Sequence, residues 1–184
     1  QTKSIISVAI MILQEKGQLL IQDPVGDYIP EFNNTTVAVE EDGNYSVVKS
    51  NRKITIRDLL THTSGIGWGV GPGKEDWEKA GIVGWYFADK DETIQETVKR
   101  IAKLPMDAQP GDDFVYGLST DILGALIEVV SKQPLDQFLR QEIFDPLNMK
   151  DTHFYLPLDK LDRLTTVYSS TESGVVISPD PGKR

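Results

Sequence analysis

The feature that most constrains the fold is the apolar run near the start of the chain, QTKSIISVAIMILQEKG, residues 1–17. Between residues 4 and 13 only two serines interrupt it, and the apolar side chains surround the helix instead of forming a stripe. This pattern predicts a helix that is buried on every side, at the centre of the core. Gly17 follows a polar turn and is expected to end the helix.

A lysine, Lys3, lies at the start of this predicted helix. The positive end of the helix dipole and desolvation both disfavour a cation there, so both favour the neutral amine. A neutral lysine amine can act as a general base, and Lys3 is therefore a candidate catalytic residue. Two other interpretations stay open: a structural lysine at a helix start and the basic residue of a secretory signal peptide. No small-residue cleavage site follows, which disfavours the second.

The composition excludes several classes of function. The chain has 184 residues and a net charge of −9 without a basic run, so we expect neither nucleic acid nor an anionic membrane surface as a partner. The absence of cysteine rules out a thiol nucleophile and zinc–thiolate sites. His62 and His153 lack the spacing of metal ligands, so no metal is expected. The apolar run is too short to span a membrane.

The rest of the chain predicts short elements joined by turns. A capping box is expected at Thr55 and Asp58, and either Ser119 or Thr120 is expected to cap a later helix. The predicted elements are an exposed hairpin at 35–40 and 45–49, a short helix after Thr55, helices at 91–104, 119–130 and 134–143, and a strand at 174–177.

Two features between these elements invite a functional interpretation. Ser64 follows His62-Thr63, but a nucleophile elbow requires glycine at position 62, so we predict that Ser64 bonds the turn backbone. The glycine-rich segment 65–84, with Trp68, Trp77 and Trp85 in or beside it, is consistent with either a pocket-lining loop or a surface excursion.

A tyrosine, Tyr116, precedes one of the predicted helices in QPGDDFVYGLSTDILGALIEVV, residues 109–130. A side chain on such an approach can face a cleft and still be held rigidly. Beside a cation, a tyrosine hydroxyl can relay protons. We therefore take Tyr116 as a second candidate catalytic residue, with its hydroxyl within hydrogen-bonding distance of the Lys3 amine; a structural tyrosine is the alternative.

Four phrases, in order, resemble the serine β-lactamase-like superfamily: QTKSIISVAIMILQEKG, ITIRDLLTHTSGI, QPGDDFVYGLSTDILG and FLRQEIFDPLNMKDTHF. That superfamily includes class C β-lactamases, penicillin-binding DD-peptidases and family VIII-type esterases. The resemblance makes Lys3 the lysine of Ser-x-x-Lys and Tyr116 the tyrosine of Tyr-x-Asn. It implies an α+β, β-lactamase/transpeptidase-like fold, of which this chain supplies mostly the helical part with a few short strands.

Three departures from the family pattern are visible. The nucleophilic serine would immediately precede Gln1, and the third motif, on a strand, would follow Arg184. Residues 1–184 are therefore expected to be an incomplete domain. Leu118 stands where β-lactamases and peptidases usually carry asparagine, and an apolar side chain cannot hydrogen-bond the lysine or a substrate amide.

The resemblance implies a serine hydrolase that forms an acyl-enzyme on a small ester, amide or peptide, without cofactor or metal. Leu118 favours the esterase-like branch. A β-lactamase or DD-peptidase is the first alternative, and a non-catalytic binding or sensor module on the same scaffold is the second. The family favours a periplasmic or secreted location; the oligomeric state stays open.

Overall fold

Short helices and hairpins form the computed structural model, which describes residues 1–82 and 91–178. Trp85 and the end of the glycine-rich segment lie outside the described residues. The α-helices are α1 Thr2–Glu15, α2 Ile56–Leu60, α3 Lys74–Lys79, α4 Ile94–Ile101, α5 Ser119–Ser131 and α6 Leu135–Leu139. The strands are β1 Thr36–Glu41, β2 Asn44–Lys49, β3 Tyr168–Thr171 and β4 Gly174–Ile177. These elements group into two units, Gln1–Asn148 and Met149–Arg184.

Helix α1 forms where the apolar run predicts it, but its predicted burial on every side is wrong. Its buried residues make a single stripe at helical spacing, namely Ile6, Ala9, Ile10 and Leu13. Val8 is 49% exposed and Met11 43% exposed, because among the described residues α1 packs on one side only, chiefly against α5. As predicted, Gly17 ends the helix with a φ of +68°, and the Gln18 N–H donates to the Leu13 carbonyl at 2.9 Å.

Helix α5 is the element that other helices surround. It packs against α1, α2, α4 and α6. Seven of its residues are buried: Ser119, Ile122, Leu123, Gly124, Ala125, Leu126 and Ile127. The predicted serine or threonine cap is wrong, because Leu118 occupies the N-cap position without a side-chain hydrogen bond and the Ser119 hydroxyl is engaged elsewhere. The most enclosed helix of this unit is therefore α5.

The β1–β2 hairpin is antiparallel, with Thr36 opposite Lys49 and a two-residue Asp42-Gly43 turn. It is less exposed than predicted, because Val37 and Ala38 at the start of β1 are buried. The Ala38 N–H donates to the Met106 carbonyl, and the Met106 N–H to the Thr36 carbonyl, each at 2.8 Å. These bonds tie the first half of β1 to the core.

The capped helices follow their local signals. Thr55 and Asp58 form the predicted capping box of α2, and Thr93 and Glu96 form another at the start of α4. The helix predicted at 134–143 is interrupted: α6 is followed by a turn of π-helix, Arg140–Phe144. Its predicted core side chains Phe138, Leu139 and Ile143 are buried, and Leu135 is half-buried.

The second unit contains a 3₁₀ helix, Leu158–Arg163, and the β3–β4 hairpin. The strand predicted at 174–177 is confirmed as β4. Asp151 accepts two hydrogen bonds from the Arg163 guanidinium, at 2.8 and 2.6 Å, which ties the 3₁₀ helix to the turn before it. Across the described residues of both units, no helix combines the length and the apolar character needed to cross a membrane.

Candidate active site

The structure brings the two predicted site residues together although they lie far apart in the sequence. Lys3 is in the first turn of α1, and its Nζ lies over the Tyr116 ring, 4.6 Å from the ring centroid. This is a cation–π contact. Among the hydrogen bonds between described residues, none joins the Lys3 amine to the Tyr116 hydroxyl, so the contact is made by the ring face and not by the hydrogen bond that the sequence predicts.

The environment of Lys3 also differs from the expectation. The predicted desolvation is not observed, because Lys3 and the other residues at the start of α1, 1–4, are exposed. The Lys3 charge nevertheless acts on two partly or fully buried groups. It opposes the rise that burial causes in the pKa of Asp121, in the first turn of α5, and it helps burial to lower the pKa of His62.

Tyr116 is held by its neighbours in sequence. On one side the Val115 N–H donates to the His62 carbonyl at 2.8 Å. On the other, Gly117 lies so close to the preceding glycine-rich segment that an added Cβ would be 2.3 Å from the Ile66 carbonyl oxygen. Leu118 then enters the core and is 1% exposed. The Tyr116 side chain remains 51% exposed, so it is accessible and yet fixed at its backbone.

An aromatic cluster, consisting of His62, Trp68, Phe114 and Tyr116, surrounds this contact. The His62 and Tyr116 rings are stacked, with centroids 5.1 Å apart and planes 22° apart. Phe114 is tilted against His62 at 5.9 Å, and Trp68 is tilted against Tyr116 at 6.0 Å. The spacing of the histidines argues against a metal site, and nothing in the sequence predicts this stacking role of His62, since no local pattern indicates which distant ring a histidine will meet.

The glycine-rich segment places Trp68 by wrapping around a carboxylate. The Asp107 side chain occupies the space that a Cβ would need at Gly67, 1.9 Å from Oδ2, and at Gly71, 2.1 Å from Oδ1. Asp107 Oδ1 is buried and has no hydrogen-bond partner in the described part of the chain, and burial raises the pKa of this carboxyl. Of the two interpretations of this segment, Trp68 supports the one in which it borders a site.

Ser64 lies in the core and not in the cluster. It is fully buried, its Oγ is 3.0 Å from the Ser119 Oγ, and it accepts a hydrogen bond from the Ile66 N–H at 3.2 Å. These are the contacts expected of a hydroxyl that fixes a turn. The burial leaves no room for a substrate carbonyl at this oxygen.

Two concave regions lie away from the Lys3–Tyr116 contact. One, of about 670 Å³, is bordered by the β1–β2 turn and the glycine-rich segment and includes Tyr45 and Glu75; the other, of about 520 Å³, lies beside the Arg52–Asp58 ion pair. Neither includes Lys3 or Tyr116 among its lining residues. Within residues 1–82 and 91–178, no three histidine or acidic side chains are grouped to hold a metal ion.

The family model described as Beta-lactamase matches residues 1–184, and the chain therefore belongs to the β-lactamase family. The esterase EstB of Burkholderia gladioli is 34% identical over 155 residues, which cover 83% of this chain and 36% of EstB. A putative D-alanyl-D-alanine carboxypeptidase of Salmonella agona is 29% identical over 178 residues, 94% of this chain and 37% of that protein.

Solved structures give the same result for the fold. The structure of EstCE1, a hydrolase with promiscuous acyltransferase activity, superposes with a TM-score of 0.78 and 29% identity, covering 97% of this chain and 44% of EstCE1. The predicted α+β, β-lactamase/transpeptidase-like fold is thus confirmed. The chain spans less than half the length of each of these relatives.

Proposed function

We propose that this chain is part of a serine hydrolase that acts through an acyl-enzyme on small esters, amides or peptides, with esters favoured. The observation that carries the proposal is the Lys3 amine over the Tyr116 ring at the N-terminal turn of α1. Both residues match catalytic positions of the family motifs. The similarity to EstB and EstCE1 supports a hydrolase of the esterase-like branch.

The proposed chemistry starts from the serine expected immediately before Gln1, one helical turn from Lys3. Once its ammonium has given up a proton to solvent, the Lys3 amine takes the hydroxyl proton while the serine oxygen attacks the substrate carbonyl carbon. The carbonyl carbon then loses its alcohol or amine, which leaves with a proton passed on by Lys3 and Tyr116. Water, activated in the same way, cleaves the acyl-serine ester and returns the proton to the serine.

Leu118 supports the preference for esters. Its side chain is buried at the N-cap of α5, so this position offers the site no amide group. The alternative of a DD-peptidase is favoured by a different observation, the similarity to a putative D-alanyl-D-alanine carboxypeptidase. The esterase and the DD-peptidase would form the same kind of acyl-enzyme, from an ester in the first case and from a peptide in the second.

The test of the site uses the full-length protein and three variants. Lys3→Arg should lower the acylation rate about a hundredfold or more, because an arginine cannot give up its proton to become a base. Tyr116→Phe should lower kcat and leave the thermal midpoint near that of the parent, because only the hydroxyl is lost. Lys16→Arg is the matched control: it changes a lysine just beyond α1 that pairs with Glu142, and turnover should be unaffected. Near-normal turnover in Lys3→Arg would contradict the base assignment.

The substrate class is tested on the same preparation with a short-chain nitrophenyl ester and a chromogenic cephalosporin. Faster turnover of the ester, with an acyl adduct on the expected serine detected by mass spectrometry, supports the esterase branch. Faster turnover of the cephalosporin supports the β-lactamase alternative. If neither reagent acylates the protein, the binding or sensor module is the better interpretation.

A further inference from the structure

We propose that His62 is a positioning residue whose neutral imidazole holds the Tyr116 ring against the Lys3 amine, and whose protonation releases this contact in acid. The inference extends the proposed function, on which its activity measurement rests. Its structural part concerns only the contacts among His62, Tyr116 and Lys3 and can be tested without a substrate.

The geometry of His62 is unusual and directs its ring into the aromatic cluster. Its φ is +55°, in the left-handed region that side chains other than glycine rarely occupy. Such a conformation persists only where surrounding contacts enforce it, and it concentrates at functional sites. Here its N–H donates to the Leu59 carbonyl at 3.3 Å and its carbonyl accepts from Val115. The residue that carries the stacked ring therefore also fixes the backbone next to Tyr116.

The stacked ring is in a place suited to a neutral imidazole. His62 is 8% exposed, and its Nδ1 is buried without a hydrogen-bond partner in the described residues. An imidazolium carries a proton on both nitrogens, so protonation would bury an N–H donor without an acceptor. Burial, and second the Lys3 charge, lower the pKa of His62 and therefore favour the neutral ring.

The charges around His62 show how protonation would act on the site. Lys3, on α1, is a charged group that acts on His62, and the same ammonium lies over Tyr116. Two carboxylates lie on the neighbouring helices. Asp121, on α5, interacts electrostatically with Lys3, and Asp58, on α2, is paired with Arg52. An imidazolium stacked on Tyr116 would be a second cation on the ring that already holds Lys3. Repulsion between the two cations would weaken the Lys3–Tyr116 contact.

The first experiment follows ring signals by NMR in the full-length protein between pH 4.5 and 8. We expect the His62 signals to titrate with a midpoint below the ordinary value of about 6.5, and the Tyr116 ring signals to shift with the same midpoint. In His62→Phe the Tyr116 signals should lose this shift. His153→Phe is the matched control, since it removes the other histidine of this chain from the second unit, and should leave the Tyr116 titration unchanged. Tyr116 signals that do not follow the His62 midpoint would overturn the inference.

The second experiment measures kcat/KM for the ester as a function of pH. The parent should lose activity in acid with the His62 midpoint, and His62→Phe, which retains a ring for the stack, should remove that ionisation. His62→Asn, which tolerates the left-handed backbone, should lose both the ionisation and the stack, with a plateau lowered about tenfold. Identical pH profiles for the parent and both variants would refute the positioning role.

The two experiments separate the failure of this inference from the failure of the proposed function. A parent without hydrolytic activity contradicts the proposed function, and the NMR titration still decides whether His62 positions Tyr116. If the parent is active but its Tyr116 signals do not follow the His62 midpoint and its pH profile is unchanged in the His62 variants, the proposed function is supported and the inference is overturned. Should His62→Phe not fold, His62→Asn supplies both measurements, and it is expected to abolish the Tyr116 titration in the same way.

Discussion

Replacing Ser64 by alanine separates a structural serine from a nucleophile. The change removes a hydroxyl that contacts the Ser119 hydroxyl at 3.0 Å and the Ile66 N–H at 3.2 Å. Both serines are fully buried, so water cannot replace the lost partner. Each buried polar group left unpaired costs about 1–3 kcal/mol, and two groups lose their partner, so we expect the free energy of unfolding to fall by about 2–6 kcal/mol.

A double-mutant cycle measures the contact itself. Ser119→Ala alone should cost about 1–2 kcal/mol, because only the Ser64 hydroxyl loses a partner. In the double variant the two changes should cost about 1 kcal/mol less than their sum, because residues in contact are not additive. The free energies come from urea unfolding of the full-length protein.

Turnover decides the functional part of this prediction. Under native conditions, ester hydrolysis by Ser64→Ala should stay within a few-fold of the parent, since a buried turn hydroxyl takes no part in the chemistry. The matched comparison is alanine at the serine expected before Gln1, which should abolish acylation. A loss in Ser64→Ala as large as in that variant, or strictly additive stabilities in the cycle, would refute the structural interpretation.

Two further predictions concern the segments that frame the site. Asp58→Asn should lower the free energy of unfolding by about 2–4 kcal/mol, because a buried carboxylate bonded to Arg52 and Thr55 loses its charge. Burial raises the pKa of Asp58, but the bonds to Arg52 and Thr55 outweigh burial, and the net pKa of the folded protein is lowered. The stabilisation is therefore fully present above the unfolded pKa near 4, and it is lost as the pH falls through the folded pKa. Urea unfolding at several pH values should show this loss of stability in the parent and not in Asp58→Asn. Gly67→Ala should lower the free energy of unfolding by about 1–3 kcal/mol, because the new Cβ would lie 1.9 Å from Asp107 Oδ2. Adding Asp107→Ala to the same chain should recover part of that loss. Equal stabilities of Gly67→Ala and the parent protein would contradict this packing.

Local interactions made part of this protein predictable from its sequence. The α2 capping box depends on Thr55 and Asp58, which are three residues apart, and the end of α1 depends on Gly17, so a short window contains all the partners. The position of Lys3 in the first turn of a helix is a local fact of the same kind. The four sequence stretches that resemble the family predicted the fold and the candidate roles of Lys3 and Tyr116.

Tertiary packing decided the rest, because burial and proximity depend on residues that are distant in sequence. Hydrophobicity predicted an apolar helix at α1, but the helices that pack around α5 made α5 the enclosed one. The Ser119 hydroxyl had a distant partner in Ser64, which a local capping rule cannot take into account. The stacking of His62 on Tyr116, and the ring-face contact of Tyr116 with Lys3, likewise required the folded chain, since they join side chains from the start of α1, the turn after α2 and the approach to α5.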